Sequence, residues 1–118
     1  MPYEDTVLSL NPDTKTLLSL EAALRGVGFN VVSVSTPIQA RFELEMGRCG
    51  IFLTSYLMSS IICRDLIGFF RNSCPSGLVV LRTENENDSV PEADIVVSGR
   101  DNPQVVAMRV ASMRSKAS

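Results

Sequence analysis

The feature that most constrains the fold is a regular alternation between short apolar runs and longer segments with helical periodicity. Each apolar run is typical of a buried strand, and we predict five strands, at Val7–Leu10, Asn30–Val34, Ile51–Thr54, Leu78–Leu81 and Ile95–Val97. Strands that alternate with helices form parallel sheets, because a parallel neighbour can be reached only by a crossover. The sequence therefore predicts a doubly wound α/β fold, in which helices cover both faces of a five-stranded parallel sheet.

Helix starts are marked by short oxygen-bearing side chains and by proline in the first turn. Helices are predicted to begin near Asp13, Pro37, Ser60 and Asn102. Between the fourth and fifth strands, residues 82–94 (RTENENDSVPEAD) show no apolar periodicity, so we expect a shortened or irregular fourth helix there. The polar tail, residues 115–118, is predicted to be frayed.

The composition indicates one domain, residues 1–118, and excludes several kinds of site. A net charge of −2 provides no electrostatic attraction to nucleic acid or to an anionic membrane. The chain has no histidine, which removes Ser-His and Cys-His catalysis and the commonest zinc ligand. Three cysteines without a CxxC spacing, and an N-terminus unlike a signal peptide, predict reduced thiols and a cytoplasmic location. We expect no enzymatic activity, no cofactor and no metal.

Several stretches resemble the receiver domain of bacterial response regulators. They are VLSL ending in NPD, the helix closing on RGVGFNVVSVST, and GIFLTSYLMSS leading into RDLIGFFR. The likeness covers nearly the whole chain. It implies a flavodoxin-like sheet with the strand order 2-1-3-4-5 and a role in two-component signal transduction.

Receiver domains of that family accept a phosphoryl group from a histidine kinase on an aspartate at the end of the third strand. An acidic pair after the first strand holds Mg²⁺. In this sequence the phosphoacceptor position falls on Ser55, with Thr54 as the neighbouring register. The acidic pair falls on Asn11 and Pro12, with Asp13 just beyond. Neither position keeps the family's carboxylates.

Two further positions depart from the family's pattern. The hydroxyl residue that ends the fourth strand falls on Arg82, with Thr83 next to it, and the Lys-Pro pair of the fifth strand falls on Ser98-Gly99. An aspartyl phosphate needs an ionised carboxylate, whereas a serine hydroxyl needs a base to attack. Neither aspartyl phosphotransfer nor a Mg²⁺ site is therefore expected.

The lost carboxylates also suggest a new contact within the pocket. Their removal relieves repulsion between like charges. Arg82 is then predicted to lie across the pocket and to pair with Asp13. Asp13 has a second interpretation as a helix cap, which we favour over a metal ligand.

These observations predict a degenerate receiver, or pseudo-receiver, that acts independently of phosphorylation by binding other signalling proteins or domains, with a homodimer allowed. The candidate partner face consists of Glu84, Glu86, Glu92, Arg100 and Arg109. Two alternatives stay open. The first is a sensor of a small ligand or anion in the strand-end pocket, and the second is a switch phosphorylated on a hydroxyl such as that of Ser55.

Overall fold

The computed structural model of this protein describes residues 3–55, 59–83 and 93–117, with side chains as far as residue 114. Within these residues the chain forms five strands and four helices in an alternating order. The elements are β1 (Thr6–Leu10), α1 (Thr14–Gly26), β2 (Asn30–Val34), α2 (Pro37–Met46), β3 (Ile51–Ser55), α3 (Ser60–Ser73), β4 (Leu78–Thr83), β5 (Ile95–Ser98) and α4 (Pro103–Ala117).

The strands form one sheet in the order β2-β1-β3-β4-β5, and every neighbouring pair is parallel. The three inner strands, β1, β3 and β4, are buried along their whole length. Continuous apolar runs are the expected sequence for strands covered on both faces. The predicted doubly wound fold and its strand order are confirmed.

Alternate residues of each strand contribute to two separate core layers. In β1, Val7 belongs to the layer that contains Leu20 of α1 and Val106 of α4. Its neighbour Leu8 belongs to the opposite layer, with Phe70 of α3. In this second layer the rings of Phe52 and Phe70 are 6.0 Å apart between centroids. The alternation follows from the two-residue period of a strand.

The helices begin where the sequence predicted, to within a residue. Thr36, Ser59 and Asn102 each accept a hydrogen bond from a backbone N–H of the following first turn. This capping satisfies one of the free donors at a helix start. The helix α2 ends at Gly47, whose φ of 66° lies in the left-handed region that favours glycine.

The sheet continues further than the apolar runs predicted. β4 extends through Arg82 and Thr83, because these residues pair with Ser55 of β3 and Ser98 of β5. The helix α4 continues to Ala117, so the backbone of residues 115–117 is helical, while fraying of the tail stays a prediction. A polar composition alone does not end a helix that is packed along its earlier turns.

The predicted shortened helix between β4 and β5 falls on residues 84–92, which lie outside the described residues. Among the helices that the structure does describe, none has the length and apolar character needed to cross a membrane.

A close backbone approach at the start of β3 supplies the first testable prediction. A Cβ atom at Gly50 would lie 2.6 Å from Cα of Glu4 and 2.9 Å from the carbonyl oxygen of Tyr3. Gly50 also donates to the Thr6 carbonyl and accepts from the Leu78 amide, so it cannot move away without loss of sheet bonds. We expect Gly50→Ala to lower the free energy of unfolding by about 3 kcal/mol.

Urea unfolding followed by circular dichroism measures this loss. The matched control is Gly68→Ala on α3, where nothing lies within 4 Å of the new Cβ. This control is expected to stabilise the protein by up to about 1 kcal/mol, because alanine is the better helix former. An unchanged unfolding midpoint for Gly50→Ala would show that the N-terminal segment does not cross Gly50 so closely.

Candidate functional site

The polar residues predicted for the pocket gather at the carboxyl ends of four neighbouring strands. Ser55 of β3 is the register partner of Arg82 of β4, and Thr83 is the partner of Ser98 of β5. Asn11 directly follows β1, which lies on the other side of β3. The carboxyl edge of a parallel sheet is where α/β proteins usually bind ligands. The structure thus brings the predicted residues to one edge.

Six of the seven predicted pocket residues are buried, which is unusual for polar side chains. These six residues are Asn11, Thr54, Ser55, Arg82, Thr83 and Ser98. Asp13 is the exception, because it is exposed. These six residues therefore form a buried polar layer at the edge of the sheet, and Asp13 lies outside it.

Asn11 shapes the turn from β1 into α1. Its side-chain oxygen accepts a hydrogen bond from the backbone N–H of Asp13 at 2.9 Å. The backbone N–H of Asn11 donates to the Val34 carbonyl at 3.1 Å. Its side-chain nitrogen is buried and has no hydrogen-bond partner among the described residues. A buried donor without a partner costs free energy, and it marks a position where a ligand oxygen would be favourable.

The predicted ion pair between Asp13 and Arg82 was wrong. Both residues are described, and no salt bridge joins them. Asp13 precedes α1 at the cap position, where its carboxylate accepts from the Thr16 hydroxyl instead of a backbone amide. That hydrogen bond holds the pKa of Asp13 below its usual value. The turn made by Asn11 places the Asp13 carboxylate on the solvent side, away from β4.

Arg82 and Ser98 instead join the ends of β4 and β5. The Arg82 guanidinium donates to the Gly99 carbonyl at 3.1 Å, and the Gly99 amide donates to the Thr83 carbonyl at 2.6 Å. The Ser98 hydroxyl accepts from the Arg100 amide at 3.1 Å. These bonds occupy the Ser98 hydroxyl and part of the Arg82 guanidinium within the protein itself.

Thr54 and Ser55 have different surroundings, because consecutive strand residues point to opposite faces. Thr54 Oγ1 lies 3.7 Å from Sγ of Cys63 on α3, and this thiol is also 3.8 Å from the Ser55 carbonyl oxygen. Burial raises the pKa of the Cys63 thiol. Cys63 is therefore a neutral packing residue and a poor nucleophile. The sequence did not predict the contact of Cys63 with the end of β3, because residue spacing does not show which face of β3 this thiol meets.

The side chains at this edge do not fit the Mg²⁺ ion that the family resemblance implies. Mg²⁺ is usually held by one or two carboxylates. Asn11 has a neutral oxygen that already accepts a hydrogen bond, and Asp13 points to solvent. Across the described residues there is no group of three or more His, Cys, Asp or Glu side chains that could hold a metal ion.

The predicted partner face is described only in part. Arg100 follows β5 and is exposed, while Arg109 is exposed on α4 and donates to the Val96 carbonyl at 3.1 Å. Glu84, Glu86 and Glu92 lie outside the described residues. Two members of the face are thus located beside the edge strand β5.

Comparisons with solved structures give close matches in fold. A response regulator receiver domain protein from Methanospirillum hungatei JF-1 has a TM-score of 0.78 and 16% identity over 95% of this chain and 94% of that chain. A response regulator from Thermotoga maritima has a TM-score of 0.78 and 20% identity over 93% of this chain and 97% of that chain. The response regulator TrrA from Thermotoga maritima, solved in complex with Mg²⁺-BeF, has a TM-score of 0.75 and 16% identity over 92% of this chain and 97% of that chain.

Sequence comparisons add nothing to this likeness. No protein-family model matches the chain, and no curated protein matches it. The solved structures establish the fold alone, since their identities are low. The chain has the CheY-like, flavodoxin-type fold of receiver domains.

The separation of Asp13 from Arg82 leads to the second prediction. We expect a double-mutant cycle with Asp13→Ala and Arg82→Met to give no coupling energy, because the two side chains do not interact. The matched control is the ion pair between Arg71 and Asp94, whose Nη2 and Oδ2 atoms are 2.8 Å apart. A coupling of about 1 kcal/mol is expected for that pair.

Urea unfolding of the single and double variants measures both cycles. Equal coupling in the two cycles would mean that Arg82 does reach Asp13 in solution. Coupling only between Arg71 and Asp94 would agree with the structure.

Proposed function

We propose that this chain is a phosphorylation-independent pseudo-receiver, which binds other signalling proteins or domains and has no enzymatic activity. One observation carries the proposal. The described residues form the five-stranded sheet of a receiver-type fold, yet the phosphoacceptor position is a serine, Ser55, only 1% exposed. A scaffold that keeps the fold and loses the acceptor carboxylate is suited to acting through its surface.

The chemistry of Ser55 supports independence from phosphorylation. A phosphoryl donor must reach the hydroxyl oxygen, but this side chain is buried at the end of β3. The hydroxyl would also need a base, and the chain has no histidine. Both arguments weigh against the alternative of a switch that is phosphorylated on this serine.

The hydrogen bonds at the end of the sheet support the same proposal. Arg82 and Ser98 connect β4 to the turn after β5 within the protein. An edge held by internal bonds needs no metal or phosphoryl group to define its shape. Exposed groups beside it, such as Arg100 and Arg109, are then available to a partner at all times.

Titration with Mg²⁺ and beryllofluoride, an acyl-phosphate mimic, tests this proposal. We expect no saturable amide shifts at Thr54, Ser55 or Arg82 in NMR spectra, because the phosphoacceptor position, Ser55, has no carboxylate to bind beryllium. The response regulator TrrA is the positive control, since its structure with Mg²⁺-BeF has been solved. Saturable shifts around Ser55 would overturn the proposal.

A second function is favoured by one specific observation. The Asn11 side-chain nitrogen is a buried donor without a partner among the described residues, and it lies at the same edge as the cationic Arg82. A donor and a cation at one edge are suited to a small anion. We therefore keep an anion sensor as the second proposal.

A thermal-shift series separates the two functions. A ligand that binds only the native state must raise the melting temperature as its concentration rises. Under the anion-sensor proposal, phosphate and sulfate should raise it by several degrees, while chloride at matched ionic strength should not. The increase should be lost in Asn11→Leu. No difference between phosphate and chloride would exclude the sensor and leave the interaction module.

A further inference from the structure

A continuous apolar ridge lies on the outer face of α2. Ile38, Phe42 and Met46 are 83%, 58% and 52% exposed, and they follow one another at spacings of four residues. Side chains four residues apart on a helix are neighbours, so these three form one strip. Elsewhere among the described residues, Val27 and Met108 border a groove between α1 and α4, and Val105 neighbours Met108 on α4, but this group is divided between two helices. Single exposed apolar groups are ordinary, but a strip of three is a candidate binding surface.

The strip points directly away from the sheet. Ala40 and Leu44 are the buried residues of α2, and they lie on the side of the helix opposite Phe42 at 100° per residue. The flank towards α3 is charged. Arg41 stacks on the ring of Phe69 with its guanidinium carbon 4.5 Å from the ring centroid, and its Nε lies 3.2 Å from Oε1 of Glu45.

We propose that a second copy of this chain covers the strip, with the two α2 helices packed antiparallel about a two-fold axis beside Phe42. In that arrangement Phe42 meets its counterpart, and Ile38 of one copy meets Met46 of the other. The two-fold axis also keeps the charged flanks on the same side. Arg41 of each copy then lies within about 3 Å, along the helix axis, of Glu45 of the other copy.

This charge pattern is the reason for choosing a second copy as the partner. A two-fold interface requires a patch that is complementary to itself. The apolar strip is symmetric about Phe42, and the flank has one positive and one negative group that exchange partners across the axis. Complementary charges at an interface set its register and orientation. A parallel two-fold would instead place the charged flanks of the two copies on opposite sides of the interface, where Arg41 and Glu45 could not exchange partners.

The size of the helix limits the strength of the dimer. Ten residues of α-helix are about 15 Å long. A stable interface buries about 800 Å² on each partner, and one face of this helix is smaller than that. We therefore expect a weak, concentration-dependent dimer with a dissociation constant on the order of 10⁻⁴ M. This inference rests on the proposed function, because it names the partner surface of an interaction module.

Sedimentation velocity over a range of protein concentrations tests the dimer. The wild-type chain should associate as concentration rises, and Phe42→Glu should weaken association by about tenfold or more. Met108→Glu is the matched control, because Met108 is 65% exposed on α4 and lies outside the strip. A monomer at every concentration, or equal weakening by both variants, would overturn the proposal.

Orientation is tested by cross-linking and by charge exchange. Mixed Ile38→Cys and Met46→Cys proteins should form disulfides faster than either protein alone, and the three native cysteines are buried and should not contribute. Arg41→Glu and Glu45→Arg should each weaken association, whereas the double exchange should restore it. Faster cross-linking of Ile38→Cys with itself would contradict the antiparallel arrangement.

The two proposals can fail separately. A monomeric chain that shows no shifts with beryllofluoride would remove the dimer and leave the pseudo-receiver. A dimeric chain that binds beryllofluoride would remove the pseudo-receiver and leave the α2 interface.

Discussion

The rest of the structure depends on the parallel pairing of β1, β3 and β4, which are buried on both faces. Alternate residues of these strands face opposite sides of the sheet, so a shift of one residue would move each apolar side chain to the other core layer. The register between β3 and β4 that keeps Phe52 beside Val79 also keeps Ser55 beside Arg82. The packing of the core therefore determines which polar residues meet at the carboxyl edge.

Most polar groups at the carboxyl edge form hydrogen bonds with other groups of the protein. Asn11 bonds to the turn that leads into α1, and Arg82 and Ser98 bond to the turn after β5. Asn11 and Ser55 are neutral, so no repulsion between carboxylates at these two positions has to be offset by a metal ion. These internal bonds support the proposal of a module whose surface acts without a chemical switch.

Helix α2 has a small buried face and a larger apolar face that is exposed. Helix α2 buries only Ala40 and Leu44 against the protein and presents Ile38, Phe42 and Met46 to solvent. The fold of the chain itself does not bury the apolar outer face of this helix, whereas a partner protein would bury it. The Arg41 contact with Phe69 holds the charged flank of α2 in place beside α3.

The amino-acid sequence determined the strands, the helix starts and the absence of histidine and acceptor carboxylate, because apolar periodicity, caps and residue identity are local properties. The tertiary structure decided the rest. Strand β4 reaches Thr83 only because β5 offers it a partner, and Arg82 bonds to the turn after β5 instead of to Asp13. The contact between Thr54 and Cys63 likewise needed the face of β3 to be known. These features depend on which elements become neighbours in space, and no local pattern in the chain records that.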